Sequence, residues 1–373
     1  MLYIHIPFCK SRCIYCSFFS SVSLNNKDKY INALCREIEL RHKYLNSKKL
    51  SSVYLGGGTP SLLQKDDLEQ IFGQINRYFE ITPQTEVTIE CNPDDIDEDF
   101  LYTLRLFPFN RISMGIQTFD DEQLSFLNRR HSSQQAKESI KRLQASDFDN
   151  ISADLIYSLP SQTLEQWTKD IDTLLSIGVR HISAYSLTYE EGTKLYSLLK
   201  NKKLATVSDD DSWMFFTTLR QKLTEAGFEH YEVSNFALPE HHSRHNSGYW
   251  SGKHYLGIGT SAHSYNGTSR SWNISNIPKY CYLIEQGEPF SEQEILSDTD
   301  KYNEFVFLSL RTSKGINLNR LKADFGASLA DYCLRCAEKY LNRGTLKITA
   351  DHLRLTEQGI FVSDGIMSDL MKS

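Results

Sequence analysis

The chain has no run of apolar residues long enough to cross a bilayer. A membrane-spanning helix needs about 20 consecutive apolar residues, and the apolar runs here are much shorter. The N-terminus also lacks the basic segment followed by an apolar one that marks a signal peptide. Without a secretion signal, the eight cysteines are expected to act as free thiols in a reducing compartment. The sequence therefore predicts a cytoplasmic protein.

A strong excess of one charge is also missing. The chain carries 41 Lys and Arg residues against 47 Asp and Glu residues, a net charge of −6. This balance argues against a dedicated polyanion binder, and the small basic excess after residue 300 does not change that expectation. We therefore predict no nucleic-acid partner. A hydrophobic content of 40% is normal for a globular protein and allows a sizeable core.

The first half of the chain alternates short β-rich segments with amphipathic, helix-like segments. This repetition predicts an α/β fold with parallel strands and helical crossovers. Six units favour a partial (β/α)6 barrel over a closed eight-fold one, and the chemistry of such barrels gathers at the carboxyl ends of the strands. The predicted strands are residues 2–6, 52–55, 86–90, 111–116, 151–156 and 181–187.

The second half of the chain has a different character. Residues 194–227 are typical of helix, and residues 228–265 form a stretch rich in His, Asn, Gly and aromatic residues that we expect to be irregular. After residue 299, short helical patterns precede a two-strand pattern around Ala350 and Asp351. We predict three regions: a barrel over 1–230, a His- and aromatic-rich connecting region over 231–298, and a small winged-helix-like α+β module over 299–373.

Three closely spaced cysteines follow the first predicted strand, without a fourth nearby. Cys9, Cys13 and Cys16 form a CxxxCxxC pattern. A [4Fe–4S] cluster normally takes four cysteine ligands, so three cysteines would leave one iron open to another ligand. A zinc site needs four nitrogen or sulfur ligands and would have to recruit His5 or a remote cysteine. The spacing predicts an incomplete cluster site, with zinc or purely structural thiols as alternatives.

Other groups suited to ligand binding fall at or near the ends of the predicted strands. The run from Gly56 to Pro60 follows the second strand, and glycine lets backbone approach a ligand closely. Glu90, Gln117 and Asp154 lie at the ends of the next three strands. Each residue alone is also consistent with a turn or a structural role. Because parallel strands end at one edge of the sheet, we expect these groups to gather beside the cysteines.

The CxxxCxxC spacing, with an aromatic residue before the last cysteine, resembles the radical S-adenosylmethionine (SAM) superfamily. The order of the later motifs resembles its coproporphyrinogen III oxidase-like branch over nearly the whole chain. The resemblance implies that Cys9, Cys13 and Cys16 hold a [4Fe–4S] cluster whose open iron is chelated by SAM. It also implies a SAM site formed by Tyr3, Tyr15, Gly57, Gly58, Thr59, Glu90, Gln117, Arg129 and Asp154.

The branch contains two functions, and two features separate them. Within this branch, the resemblance implies that the oxygen-independent coproporphyrinogen oxidases have a longer N-terminal extension and a further cysteine two residues after the third cysteine. Here Phe18 stands at that position, and the chain begins one residue before the first predicted strand. Both features resemble the HemW-type haem chaperones. The resemblance implies a protein that binds the cluster, SAM and haem and delivers haem to membrane-bound respiratory haem proteins. Any membrane contact would be peripheral, at the inner face.

A histidine motif agrees with that family. Residues 245–250 form an HNxxYW motif, which is found in the haem chaperones. An imidazole can ligate haem iron, and aromatic rings can stack on the macrocycle. We therefore predict haem contacts from His245, Asn246, Tyr249 and Trp250. A structural loop with a buried aromatic pair is the alternative, and the other candidate iron ligands are His241, His242, His254 and His263.

Two other functions stay open at this point. One is an oxygen-independent coproporphyrinogen III oxidase that decarboxylates propionate groups by radical chemistry. The missing extension and the missing fourth cysteine argue against it, so we expect no such activity and assign no catalytic residue. The other is a radical SAM protein that acts on RNA. The net acidity and the lack of a basic, aromatic-rich stretch disfavour this alternative.

Overall fold

Six parallel strands form the centre of the main sheet, in the order in which they occur in the chain. The computed structural model describes residues 1–372. The strands are β1 (Leu2–Ile6), β2 (Ser52–Gly57), β3 (Glu86–Cys91), β4 (Arg111–Gln117), β5 (Ile151–Tyr157) and β6 (His181–Ser186). The helices that follow them are α1 (Lys27–Arg41), α2 (Lys65–Tyr78), α3 (Glu98–Arg105), α4 (Asp121–Phe126), α5 (Ser133–Ala145), α6 (Leu164–Ile177), α7 (Lys194–Lys200) and α8 (Asp209–Glu225). The predicted partial (β/α)6 barrel is confirmed.

Local sequence explains where several of these helices begin. Ser132 caps α5 and Thr163 caps α6, and in each case a glutamine three residues later bonds back to the capping residue. Such reciprocal bonds satisfy two of the backbone N–H groups that a helix start leaves free. At its other end, α6 stops at Gly178, whose φ of 81° favours glycine. The boundaries of these helices are therefore largely encoded in nearby residues.

The two faces of the barrel strands differ in chemistry. Ile4, Leu55 and Ile89 are fully buried in the apolar core on the outer, helix-covered face. Because side chains alternate along a strand, the neighbouring positions face the barrel interior, and residues such as Ser113 and Asp154 line a cavity there. Closed (β/α) barrels fill this space with branched apolar side chains. A polar, open interior indicates a ligand site instead.

Three further strands extend the sheet beyond the six barrel strands. These elements are β7 (Glu229–Glu232), β8 (Asn235–Ala237), α9 (Arg244–Trp250) and β9 (Leu256–Ile258). Strand β8 pairs antiparallel with β6, whereas β9 pairs parallel with β1 at the opposite edge. The expectation of an irregular stretch over 228–265 was therefore wrong. The helical pattern over 194–227 corresponds to two helices, α7 and α8.

The remaining elements form two smaller units. A three-stranded antiparallel sheet contains β10 (His263–Tyr265), β11 (Ser269–Asn273) and β12 (Ser291–Ile295), with α10 (Ile277–Gln286) between the last two strands. The C-terminal module consists of α11 (Asp298–Leu310), β13 (Ile316–Asn317), α12 (Leu318–Asn342), β14 (Leu346–Thr349), β15 (His352–Leu355), α13 (Glu357–Phe361) and α14 (Ser363–Leu370). Helix α12 is interrupted at Gly326, which has a φ of 81°.

The C-terminal module has an apolar core of its own. Val306, Cys333 and Leu353 are buried in it, apart from the core of the barrel. Strands β14 and β15 pair around Ala350 and Asp351, as the sequence pattern predicts. The domain boundaries at 230/231 and 298/299 stay a prediction. No helix among residues 1–372 has both the length and the apolar character that crossing a bilayer requires.

Candidate cluster and cofactor site

The three predicted cluster cysteines lie on one loop at the carboxyl end of β1. All three are free thiols and partly exposed. The loop is fixed on several sides: the Cys9 amide donates to the Ser21 carbonyl at 2.9 Å, and the Gly58 amide donates to the Ile6 carbonyl at 2.8 Å. A Cβ atom added at Gly58 would lie 2.7 Å from the Phe8 carbonyl oxygen. This position therefore needs glycine so that the two loops can approach.

One cavity of about 490 Å³ joins these cysteines to the barrel interior. Of the nine residues predicted to bind SAM, only Tyr3 does not line it. Tyr3 stacks behind Tyr54, with ring centroids 6.1 Å apart, and its hydroxyl lies 3.0 Å from Nδ1 of His5. The lining residues from the prediction are Cys9, Cys13, Cys16, Tyr15, Gly57, Gly58, Thr59, Glu90, Gln117, Arg129 and Asp154.

Glu90 is held with both carboxylate oxygens engaged. Tyr54 donates its hydroxyl to Oε1 at 2.8 Å, and the Gly57 amide donates to Oε2 at 3.0 Å. Burial raises the pKa of Glu90, and these two donors act in the opposite direction. A Cβ atom at Gly56 would lie 2.8 Å from Oε1. The glycine run therefore makes room for a carboxylate that is oriented before any ligand binds.

Arg129 connects the cysteine loop to the end of β4. Its Nη1 lies 3.4 Å from Sγ of Cys13, and its Nη2 donates to Asn92 Oδ1 and to the Gly115 carbonyl, both at 2.6 Å. Nε has no partner among the described residues. Arg129 thus holds the Cys13 side of the cysteine loop against the barrel strands.

Asp154 is another acid that lines the cavity. Its Oδ2 accepts from the Ser113 hydroxyl at 3.5 Å. Burial raises the pKa of Asp154 to about 7, and the nearby Glu90 carboxylate acts in the same direction. Glu90 and Asp154 are thus buried acids of the cavity, and each carboxyl group has acceptor positions left for further donors. A ligand with hydroxyl or ammonium groups would supply them.

The donor set fits a cluster better than a single metal ion. Within residues 1–372, no three His, Cys, Asp or Glu side chains converge closely enough to bind one ion. A cubane cluster places each cysteine on a different iron, so its thiolates need not meet at one point. Three thiols, a neighbouring guanidinium and two acids are therefore compatible with a [4Fe–4S] cluster and SAM, whereas zinc is disfavoured.

The predicted haem residues lie at the opposite end of the barrel. They belong to α9, a helix of seven residues. Only 1% of His245 is exposed; its Nδ1 lies 2.8 Å from Ser52 Oγ and its Nε2 lies 3.0 Å from the Tyr249 hydroxyl. Burial lowers the pKa of His245 to about 3. In this arrangement neither nitrogen is available to iron, so ligation by His245 stays a prediction that requires α9 to move.

The other haem candidates are more scattered. Asn246 faces the cavity, and Trp250 lies under the guanidinium of Arg311, 5.4 Å from the ring centroid. His254 and His263 are exposed, next to or on β10. Among the remaining candidates, His242 stacks on Tyr231 with ring centroids 4.2 Å apart, and His241 lies next to it in the chain.

The sequence interpretation overlooked the residues that hold α9 in place. Glu86 and Ser52, the first residues of β3 and β2, bond to the start of α9 and to His245. Tyr54, which bonds to Glu90, was also overlooked. Strand alternation could have placed all three on the barrel interior. Nothing in the sequence pairs them with a helix more than 150 residues away.

Family models match the barrel and the C-terminal module. Residues 3–174 match the radical SAM superfamily, and residues 296–362 match the HemN C-terminal domain. The chain is 33% identical over 360 residues to the heme chaperone HemW of Bacillus subtilis, covering 96% of this chain and 95% of that protein. It is 30% identical over 363 residues to the heme chaperone HemW of Escherichia coli, covering 96% and 94%.

A solved structure shares the fold over the whole chain. Coproporphyrinogen III oxidase (HemN) from Escherichia coli, described as a radical SAM enzyme, superposes with a TM-score of 0.85. The match covers 100% of this chain and 89% of that one, at 23% sequence identity. At this identity the likeness establishes the architecture and leaves the activity open.

Proposed function

We propose that this chain, which belongs to the HemW family of radical SAM proteins, is a haem chaperone that carries a [4Fe–4S] cluster and SAM. The observation that carries the cofactor part is the single cavity that joins Cys9, Cys13 and Cys16 to eight of the nine residues predicted to bind SAM. The haem part is supported by full-length similarity to relatives that are named heme chaperones.

Each group in the cavity has a definable task. The three cysteines would each hold one iron, and the cluster, when bound, supplies an electron and one iron with an open coordination position. Arg129 contacts Sγ of Cys13 and holds the loop against Asn92. Glu90, oriented by Tyr54 and Gly57, would accept from the ammonium or hydroxyl groups of SAM.

The recipients are proposed from the resemblance to the haem chaperones. The haem would pass to membrane-bound respiratory haem proteins, so the protein would work in the cytoplasm with peripheral contact at the inner membrane face. Direct haem transfer tests this function. Anaerobically reconstituted protein is loaded with haem and mixed with a haem-depleted respiratory cytochrome in membrane vesicles. Transfer appears as growth of the cytochrome spectrum beyond the rate with free haem; a rate no higher than with free haem contradicts the proposal.

One observation supports a second candidate, a coproporphyrinogen III oxidase: the fold matches that enzyme over the whole chain. The cavity rim differs in one respect that bears on this alternative. Phe18, at the position where the resemblance implies a further cysteine in the oxidases, lines the cavity and is 68% exposed. An apolar side chain there cannot ligate metal. We therefore rank the oxidase below the chaperone.

A further inference from the structure

Helix α9 closes the amino-terminal end of the barrel and is fastened by buried polar groups. The Glu86 carboxylate accepts from the backbone amides of Arg244 and His245, both at 2.9 Å. Only 5% of Glu86 is exposed. A carboxylate beside the free amides of a helix start is favourable. Helix α9, held in this way across the amino-terminal end of the barrel, forms the floor of the barrel.

His245 connects α9 to Tyr54, a residue that lines the cofactor cavity. It bridges Ser52 Oγ and the Tyr249 hydroxyl through its two ring nitrogens. Its ring also packs on Tyr54, with ring centroids 4.9 Å apart, and Tyr54 donates its hydroxyl to Glu90. A short series of contacts thus runs from the HNxxYW motif to an acid of the predicted SAM site.

His245 cannot keep both of its hydrogen bonds and also ligate haem iron. A haem-ligating imidazole needs one free nitrogen and open space for the macrocycle, and His245 has neither here. Binding iron would require breaking at least one of its two hydrogen bonds and lifting α9. The imidazole would then leave the ring of Tyr54, which would keep only the packing of Tyr3, and the orientation of its hydroxyl toward Glu90 would weaken.

We propose that His245 couples the haem and SAM sites, so that each ligand weakens the binding of the other. In the closed arrangement His245 is a positioning residue for Tyr54 and, through it, for Glu90. When His245 ligates haem, that support is lost. The proposal rests on the proposed function, because it takes haem as the ligand of the HNxxYW motif. Linkage requires the two effects to be equal in size.

Paired titrations of reconstituted full-length protein test the coupling. Haem affinity is measured with and without saturating SAM, and SAM affinity with and without haem. We expect each ligand to raise the dissociation constant of the other by the same factor, on the order of tenfold. Ser52→Ala should tighten haem binding and reduce the factor, because it removes one bond that holds His245. Tyr54→Phe, which keeps the ring, should weaken SAM binding and also reduce the factor.

The chain provides a control variant outside the cavity. Ser139 of α5 is buried, and its hydroxyl donates to the Ala136 carbonyl at 2.9 Å. The rings that pack on Tyr54 are those of Tyr3 and His245. Ser139→Ala should therefore leave the coupling factor at its wild-type value.

The outcomes separate the two proposals. Wild-type protein that binds haem and SAM independently overturns the coupling and leaves the chaperone function standing. The coupling is also overturned if Ser139→Ala changes the factor as much as Ser52→Ala does. Wild-type protein that binds no haem refutes the proposed function and the coupling together. Equal, reciprocal factors that shrink in Ser52→Ala and Tyr54→Phe support the proposal.

Discussion

Replacement of His245 by Asn should change how the stability of the protein depends on pH. The amide is uncharged at every pH and keeps a partner for Ser52, but it cannot reach Tyr249 as the imidazole does. In the native protein, burial lowers the pKa of His245 from 6.5 to about 3. The unfolded chain therefore binds a proton below pH 6.5 that the folded chain rejects.

The magnitude follows from linkage. Each pH unit between about 6.5 and 3 removes about 1.4 kcal/mol of the free energy of unfolding through this one residue. Lowering the pH from 7.5 to 5 should therefore cost about 2 kcal/mol in the native protein and nothing at this position in the variant. The buried acid Asp154, whose raised pKa acts in the opposite direction, is common to both proteins and cancels in the difference.

Urea unfolding of cluster-free protein at pH 7.5 and pH 5 measures this difference. At pH 7.5 the variant should be less stable than wild type, because a buried hydrogen bond is lost. At pH 5 the gap should be smaller by about 2 kcal/mol. Asn246→Ala is the matched control, since it changes a neutral residue of the same helix and its gap should not vary with pH. A gap for His245→Asn that is equal at both pH values would refute the buried, neutral imidazole.

The cofactor cavity yields three further predictions. Cys13→Ala should abolish the brown cluster absorbance and the bound iron after anaerobic reconstitution. The control variant Cys336→Ala, in the C-terminal module, should keep both. An unchanged iron content in Cys13→Ala would exclude the cluster assignment. Glu90→Gln should weaken SAM binding by roughly tenfold, because one oriented acceptor for a cation is lost; an unchanged dissociation constant in calorimetry would remove Glu90 from the site. SAM affinity should rise between pH 6 and pH 8, because Asp154, with a pKa of about 7, ionises in this range and can then accept hydrogen bonds from two hydroxyl groups of SAM. Asp154→Asn should flatten this pH profile. A flat profile in the wild-type protein would argue against the contact between Asp154 and SAM.

The barrel was predictable because its signals are local. Strand β1 has the bounds that the sequence predicts, and the other barrel strands differ by one or two residues. Strands β7, β8 and β9, which escaped prediction, are three or four residues long, too short for alternation to show. Helix α9 escaped because His, Asn, Gly and Trp are weak helix formers. It is held in place mainly by Glu86, a distant residue.

The candidate site also has a part that the sequence could predict and a part that it could not. The cysteines and the strand-end acids could be placed together because parallel strands end at one edge of the sheet. The burial of His245 could not be foreseen, because it depends on Ser52 and Tyr54, which are nearly 200 residues away. Tyr3, which the resemblance placed at SAM, stands behind Tyr54 and outside the cavity lining. Its contact with SAM stays a prediction.

The most direct test of a haem carrier against an enzyme is an anaerobic assay with coproporphyrinogen III. Reconstituted protein is given SAM, a reductant and this substrate, while a parallel sample is titrated with haem. A chaperone should form no protoporphyrinogen at a catalytic rate while its cluster stays intact and haem binds. Steady formation of protoporphyrinogen would make the protein an oxidase despite Phe18 and would contradict the chaperone assignment.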